Sequence, residues 1–243
     1  MPRVFKADLH IHTCLSPCTE LDMSPKNIIS KARKKEIDII GICDHNSSEN
    51  SLAVIKAAKK TDINVIPGLE VTSQEEVHVL ALFDEFENAL KLQAYVYENL
   101  PGENDEDAFG MQVIVNEKEE VLGFNNKLLI GATTIPLEEI IRIIHSFNGI
   151  AIASHIDRES FSLISQLGFI PEDLELDALE ISPHITFEEA EKRFSNNYPL
   201  TCSSDAHYPD DIGKGNTSFL LNDGTVAEIK KALKNEDGRR LIH

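Results

Sequence analysis

Val4-Phe5-Lys6-Ala7-Asp8-Leu9-His10-Ile11-His12 opens the chain with an apolar-polar run that ends in two histidines. Successive side chains of an extended strand point to opposite faces, so Asp8, His10 and His12 share one face. Further short runs, rich in Ile and Val, recur at residues 37–45, 63–72, 77–83, 149–155, 176–182 and 200–205. Bounded by polar or turn residues, they read as buried parallel strands. Nearly every one ends in a metal-capable or acidic side chain: Asp44-His45, Glu70, His155, Glu180 and Asp205-Ala206-His207, while His78 lies within its strand. Strand C-termini of a parallel barrel converge on one rim, where barrel active sites are built, so residues far apart in sequence are expected to meet there.

Between these runs the amphipathic spacing predicts helices. Ser24-Pro25 opens one at 26–35, Asn50-Ser51 one at 52–60, and Thr134-Ile135-Pro136 one at 137–147. Others are expected at 160–167, 187–194 and 225–233. This βαβα order implies one α/β domain with a parallel sheet, open or closed into a barrel. About residues 84–133 break the rhythm, with a helix at 85–100, a polar loop over 101–107, and then 113–115 and 121–124 as short strands or a helical hairpin. The segment reads as an insertion on the domain.

Of the 243 residues, 42% are hydrophobic and 26% charged, ordinary globular usage with no stretch of membrane-spanning length. The unusual quantity is the charge: 41 acidic against 23 basic residues give a formal −18, which disfavours long nucleic acid and anionic membrane as partners. The cysteines are Cys14, Cys18, Cys43 and Cys202. No secretory leader is read ahead of the first strand, so a reducing, cytoplasmic setting is expected. Cys14 and Cys18 lack the second cysteine pair of a structural zinc site. Nucleophile-elbow, P-loop and dinucleotide fingerprints are all missing from the sequence, and nothing in it sets an oligomeric state.

Six of the nine histidines lie in or at the ends of strand runs. Paired imidazoles on one face, a carboxylate–imidazole pair from the far end of the chain, and single His or Glu residues between them suit a polynuclear metal site. Mixed nitrogen and carboxylate donors favour zinc, manganese or iron over magnesium or calcium. The other three histidines fit no such pattern: His145 is mid-helix, His184 follows a strand end without a pairing motif, and His243 is terminal.

Asp8-Leu9-His10-Ile11-His12-Thr13, Asp44-His45-Asn46, Ile66-Pro67-Gly68-Leu69-Glu70, His78, Ala153-Ser154-His155 and Ser203-Ser204-Asp205-Ala206-His207 together resemble, in order, the motifs of the PHP (polymerase and histidinol phosphatase) metal-dependent phosphoesterases. The likeness spans about residues 5–210. It implies a distorted (β/α)7 barrel, similar to a TIM barrel, holding up to three divalent metals. The ligands it implies are His10, His12, His45, Glu70, His78, His155, Asp205 and His207, with Glu70 bridging. One further ligand is expected before the first helix. Counting back from Ser24-Pro25 lands on Glu20, with Asp22 next and Cys18 a softer third candidate. Asp44 is expected to support an imidazole, and Asp8 to do the same or to serve the fold.

The resemblance implies hydrolysis of a phosphate ester by a metal-bridging hydroxide, with no serine or cysteine nucleophile. Substrates in keeping with it are a small phosphorylated molecule, a nucleotide or a short 5′-phosphorylated oligonucleotide. Arg158, three residues after His155, is expected to clamp the phosphate, with His184 a weaker substrate contact. The competing readings are a non-catalytic metal-binding regulatory domain and a barrel metallohydrolase acting on C–N or C–O bonds.

Overall fold

The Ile- and Val-rich runs pair side by side. The computed structural model describes residues 1–171, 173–194 and 198–242, so His243 lies outside the described residues. In chain order the elements are β1 (Arg3–Ile11), α1 (Pro25–Lys34), β2 (Ile39–Ile42), α2 (Ser51–Ala58), β3 (Asn64–Thr72), β4 (His78–Leu82), α3 (Phe86–Glu98), α4 (Glu106–Phe109), β5 (Val113–Val115) and β6 (Val121–Phe124). There follow α5 (Leu137–Ser146), β7 (Ile150–Ala153), α6 (Leu163–Leu167), β8 (Ala178–Ile181), α7 (Phe187–Arg193), β9 (Leu200–Cys202), β10 (Thr217–Leu221), α8 (Val226–Leu233) and β11 (Arg240–Ile242).

Nine strands form one sheet in the order β11-β10-β1-β2-β3-β4-β7-β8-β9. The sheet curls until the residues after β9 reach the end of β1. There Ile11 and Ala206 form a parallel bridge, with His12 N donating to Ala206 O at 3.0 Å and Ala206 N to His10 O at 3.2 Å. The barrel is thus joined at its rim. Gly41 lets β2 approach β1 closely, since a Cβ there would sit 2.3 Å from Leu9 O.

The expectation of uniformly parallel strands is corrected at β4, which runs antiparallel to both β3 and β7. Only the residues 73–77 separate β3 from β4, whereas a parallel crossover needs a dozen or more. Ser73 N donates to Val77 O at 2.9 Å and closes a tight turn instead. Because β4 begins where its neighbours end, His78 at its first position reaches the same rim. Two strands absent from the sequence reading, β10 and β11, extend the sheet beyond β1, and both pairings are antiparallel.

Apolar burial holds the helices to this sheet, each fully buried aliphatic side chain contributing about 1.5–3 kcal/mol. Ile28, Ala32 and Val54 of α1 and α2 pack with Ile40 and Ile42 of β2. Ala89, Leu92 and Val96 of α3 join Ile140, Ile141 and Ile144 of α5 in the largest cluster. At the end opposite the rim, Asp84 accepts from Val226 N at 2.6 Å and Ala227 N at 3.1 Å, anchoring the start of α8. The polar stretch read as a bare loop builds α4, because the Asp105 carboxylate accepts from Asp107 N and Ala108 N. After it, β5 and β6 form an antiparallel strand hairpin whose Val113 and Val115 pack on Cys14, beside the rim. Among the described residues no helix is long and apolar enough to cross a membrane.

The C-terminal strand is tied down by Glu228 of α8, which accepts from Arg239 Nε at 2.8 Å, Arg239 Nη2 at 3.1 Å and Asn222 N at 2.8 Å. The Arg239 hydrogen bonds lower the Glu228 pKa from 4.5 to about 2. A carboxylate with a depressed folded-state pKa stabilises the fold above its unfolded pKa and loses that contribution as pH falls through the folded one. Glu228→Gln should therefore cost about 1–3 kcal/mol at pH 7 in urea unfolding, and the gap to wild type should close between the two pKa values, 4.5 and about 2. A gap independent of pH would contradict this assignment.

Candidate metal centre

At the rim the chain must turn sharply while aiming side chains inward, and three non-glycine residues do so with left-handed backbone: Asn46 (φ 51°), His155 (φ 32°) and Asp205 (φ 49°). Asn, Asp and His are the side chains that enter this region most readily. Asn46 also locks the turn. Its amide donates at 2.8 Å to both Leu129 O and Gly131 O, and its oxygen accepts from Thr72 N at 3.1 Å. The left-handed turn at Asp205 follows a close backbone approach, for a Cβ on Gly215 would lie 2.1 Å from Ser203 O.

Six imidazoles and two carboxylates converge there. Glu70, buried on β3, lies 2.9 Å from His78 Nδ1, 3.0 Å from His45 Nδ1, 3.3 Å from His155 Nε2, 3.4 Å from His10 Nε2 and 3.5 Å from His12 Nε2. Asp205 Oδ1 lies 3.1 Å from His12 Nε2, 3.3 Å from His10 Nε2 and 3.5 Å from His207 Nδ1.

Outer contacts fix several tautomers. His207 Nδ1 is 2.8 Å from Asp205 O, an atom that can only accept, so Nδ1 carries the proton and Nε2 is free. His10 Nδ1 is 2.9 Å from Glu180 Oε1, which presents His10 Nε2 to the centre. Ser16 Oγ donates to Asp44 Oδ1 at 2.7 Å and so accepts from His12 Nδ1 at 2.9 Å, which leaves His12 Nε2 a free lone pair. Imidazoles whose far nitrogen is tied to an oxygen are the arrangement of metal-ligating histidines.

The electrostatics follow from burial and crowding. Burial depresses the His10 ring, but the carboxylates of Asp205, Glu180 and Glu70 outweigh it and hold its pKa well above the ordinary value. Burial also depresses His12, where the His207 and His45 rings add to the effect, so its pKa falls well below. For Glu70 burial acts upward, and the His78 and His10 rings overcome it to push the carboxyl well below its usual range. Asp205 is lowered in the same way, chiefly by His10 against its own burial.

The structure brings together His10, His12, His45, Glu70, His78, His155, Asp205 and His207. It does not bring Glu20, which is exposed and lines a separate cleft with Cys14, Thr19, Leu21, Met111 and Val113. Asp22 is exposed as well. The residue at the cluster is Cys18, within 4.8 Å of the donor atoms of His12, His45 and His207. Counting back from α1 misses it because the loop folds on itself: Ser16 N donates to Thr13 O at 3.1 Å, Thr19 N to Ser16 O at 3.0 Å and Met23 N to Glu20 O at 3.0 Å. These turns leave Cys18 facing the rim and Glu20 facing solvent. Burial pushes the Cys18 thiol up, and the neighbouring His45 and His207 more than reverse it, to about 7.

The remaining expected residues stand farther out. Asp44 is fully buried and accepts from Thr13 N, Thr13 Oγ1 and Ser16 Oγ at 2.6–2.7 Å, so it supports His12 through Ser16 rather than its own neighbour His45. Asp8 accepts from Ser204 N at 2.9 Å and Gly213 N at 2.8 Å, and holds the loop that carries Asp205; burial raises its carboxyl to about 6. Arg158 does reach the mouth, with Nη1 2.5 Å from Asp205 Oδ2. His184 is exposed, and His145 pairs with Asp177 at 2.8 Å, away from the cluster. Glu180 stands at a strand end in the sequence without a motif that gives it a part, and Ser16 and Phe161 carry no sequence signal at all. Phe161 stacks on His78 at 4.8 Å between ring centroids, and its backbone oxygen accepts from His78 N at 2.9 Å.

Divalent cations fit these residues. Although His45 Nδ1 and Glu70 Oε2 are only 3.0 Å apart, they are misaligned for a hydrogen bond, and both are buried atoms without a hydrogen-bond partner, as is His155 Nδ1. His10 Nε2 and His12 Nε2 face each other at 3.1 Å. Nitrogen lone pairs and carboxylate oxygens crowded in this way leave polar atoms buried without partners, and a cation supplies what is missing. The cleft above them has a volume of about 160 Å³ and is lined by Cys18, His45, Ile130, Arg158, Phe161 and His207 among others. A larger cleft of about 490 Å³, along Lys26, Arg33 and Lys34, carries none of the cluster.

A curled α/β sheet with this donor set at its rim defines a protein of the metal-binding α/β class. The PHP domain model matches residues 8–167 and a PHP-associated model matches residues 191–237. The chain belongs to the PHP family. It is 33% identical over 86 residues to an uncharacterised protein of Methanocaldococcus jannaschii, a match covering 32% of this chain and 50% of that one. Its fold is similar to the lesion-specific endonuclease Q of Pyrococcus furiosus, with TM-score 0.73 and 20% identity over 98% of this chain and 58% of the endonuclease. Endonuclease Q has also been seen in complex with a 27-mer duplex bearing an abasic lesion at the active site; there the TM-score is 0.70 at 20% identity, over 98% and 58% of the two chains. A proposed metal-dependent phosphoesterase of Bifidobacterium adolescentis aligns with TM-score 0.57 and 18% identity over 97% of this chain and 98% of that one. The chain spans about half the length of the curated relative and 58% of endonuclease Q.

If Glu180 sets the orientation of His10, Glu180→Gln should weaken zinc binding by about 10–100-fold, read by competition with a chromophoric chelator. Unchanged affinity would remove Glu180 from the support of the centre.

Proposed function

We propose that this chain is a metal-dependent phosphoesterase that hydrolyses a phosphate ester whose phosphoryl group is exposed, on a small molecule, a nucleotide or a short 5′-phosphorylated oligonucleotide. The observation that carries the reading is the position of Arg158, a half-exposed guanidinium at the mouth of a cleft floored by buried imidazoles and carboxylates. Family membership and the phosphoesterase-like folds support it. We assign His10, His12, His45, Glu70, His78, His155, Asp205 and His207 as metal-holding residues, for up to three of zinc, manganese or iron. Bound there, divalent cations would acidify water and offset charge on the phosphoryl oxygens.

The chain's own residues do the rest. Arg158 offers a planar fork of donors to two phosphoryl oxygens, and Asp205 holds that fork over the cleft until substrate arrives. Phe161 and Ile130 line the cleft and keep its wall apolar. Its volume of about 160 Å³ is below the roughly 300 Å³ of small-molecule sites, so it suits a phosphate group whose alcohol stays outside. Asp44 does not itself line the cleft and acts as a positioning residue behind His12.

The test is release of inorganic phosphate by protein loaded with zinc, with manganese and with both, from a panel of phosphomonoesters and short 5′-phosphorylated oligonucleotides, with a duplex carrying an abasic site included for strand cleavage. Turnover of at least one substrate is expected, with Arg158→Ala lowering kcat/KM by about tenfold or more. A metal-loaded protein that hydrolyses no phosphate ester, or that turns over only amides, would defeat the proposal.

A further inference from the structure

The donors at the rim are not uniform. His10, His12, Glu70 and Asp205 form one group, and His45, Glu70 and His78 a second, each with carboxylate oxygen among its donors. A third group contains no carboxylate: His12, Cys18, His45 and His207, with one donor atom from each lying within 4.8 Å of the others. Cys18 is held there by local backbone chemistry, since Thr19 Oγ1 donates to Thr13 O at 2.6 Å and to Ser16 O at 2.8 Å. His45 belongs to this group and to the second one as well, its buried Nδ1 lying 3.0 Å from Glu70 Oε2 without a hydrogen bond. The other cysteines are occupied elsewhere: Cys14 packs on Val113 and Val115, Cys43 Sγ points to Leu9 O, and Cys202 is buried in the large core.

Resting on the metal content of the phosphoesterase reading, we infer that Cys18, with His45 and His207, builds a thiolate-bearing subsite that takes zinc or iron(II) in preference to manganese or magnesium. Thiolate is a soft ligand and selects such ions, whereas the carboxylate-bearing groups accept harder ones. The ligand is the thiolate, so a cation bound at this subsite displaces the thiol proton to solvent wherever Cys18 is still protonated. The centre then holds chemically unlike metals at neighbouring positions, and loading with manganese alone leaves the Cys18 subsite poorly filled.

Cobalt(II) reports the assignment directly, because a thiolate ligand adds a near-ultraviolet charge-transfer band that nitrogen and oxygen ligands do not. Cobalt-loaded wild type should show the band; Cys18→Ser and Cys18→Asp should lack it, and Cys14→Ser should keep it. After loading from a zinc–manganese mixture, Cys18→Asp should hold a larger share of manganese than wild type. The inference is overturned if cobalt-loaded wild type lacks the band, or if Cys18→Ser retains it. Phosphate release is scored separately, so a band without hydrolysis of any ester defeats the phosphoesterase reading alone, and hydrolysis without a band defeats the thiolate subsite alone.

Discussion

One buried carboxylate meets five imidazoles. Glu70 sits on β3 with His10, His12, His45, His78 and His155 within 3.5 Å, and these rings come from β1 and its end, from beyond the ends of β2 and β7, and from the start of β4. A single anion cannot satisfy that many nitrogens by hydrogen bonding, and removing polar groups from water without partners costs several kcal/mol. The cluster is therefore a demand for positive charge that the polypeptide creates and a cation answers. The barrel serves that demand: the sheet joins at Ile11–Ala206, beside His10, His12 and Asp205, and backbone turns at Asn46, His155 and Asp205 take left-handed conformations where the side chains must point inward.

The supporting contacts explain why the demand does not collapse into internal pairing. Glu180, the Asp205 carbonyl and Ser16 each fix one ring nitrogen of His10, His207 and His12, and so keep the other nitrogen facing the centre. Asp44 and Asp8 hold the loops that carry these groups. Acidic residues thus act at three depths: against the imidazoles, behind them, and on the solvated surface that makes up most of the −18 charge. Cations at the rim would make the mouth locally positive on an acidic body, a field that attracts a compact phosphate and disfavours a long polyanion.

Much of this was legible in the sequence because strand ends repeat a simple signal. Apolar runs closing on His, Glu or Asp gave the barrel strands, and period-two spacing put His10 and His12 on one face. The sheet direction of β4 was missed although the clue was present, since the short turn before His78 is incompatible with a crossover. β10 and β11 went unread because they lack a polar terminus at the rim. Counting back along the loop points to Glu20 rather than Cys18, and spacing fails where turns at Thr13–Ser16, Ser16–Thr19 and Glu20–Met23 reverse the chain. Glu180 stands at its strand end in the sequence, but its partner His10 lies 170 residues away and only the curled sheet brings them together.

The most direct test of Glu70 as the hub is the number of tightly held divalent cations in wild type and in Glu70→Gln, measured by elemental mass spectrometry after dialysis against a weak chelator, with circular dichroism confirming that both are folded. The account predicts that wild type keeps more than one cation per chain and that the folded variant, with an isosteric but neutral amide, loses most of them. Equal metal content in the two folded proteins would contradict it.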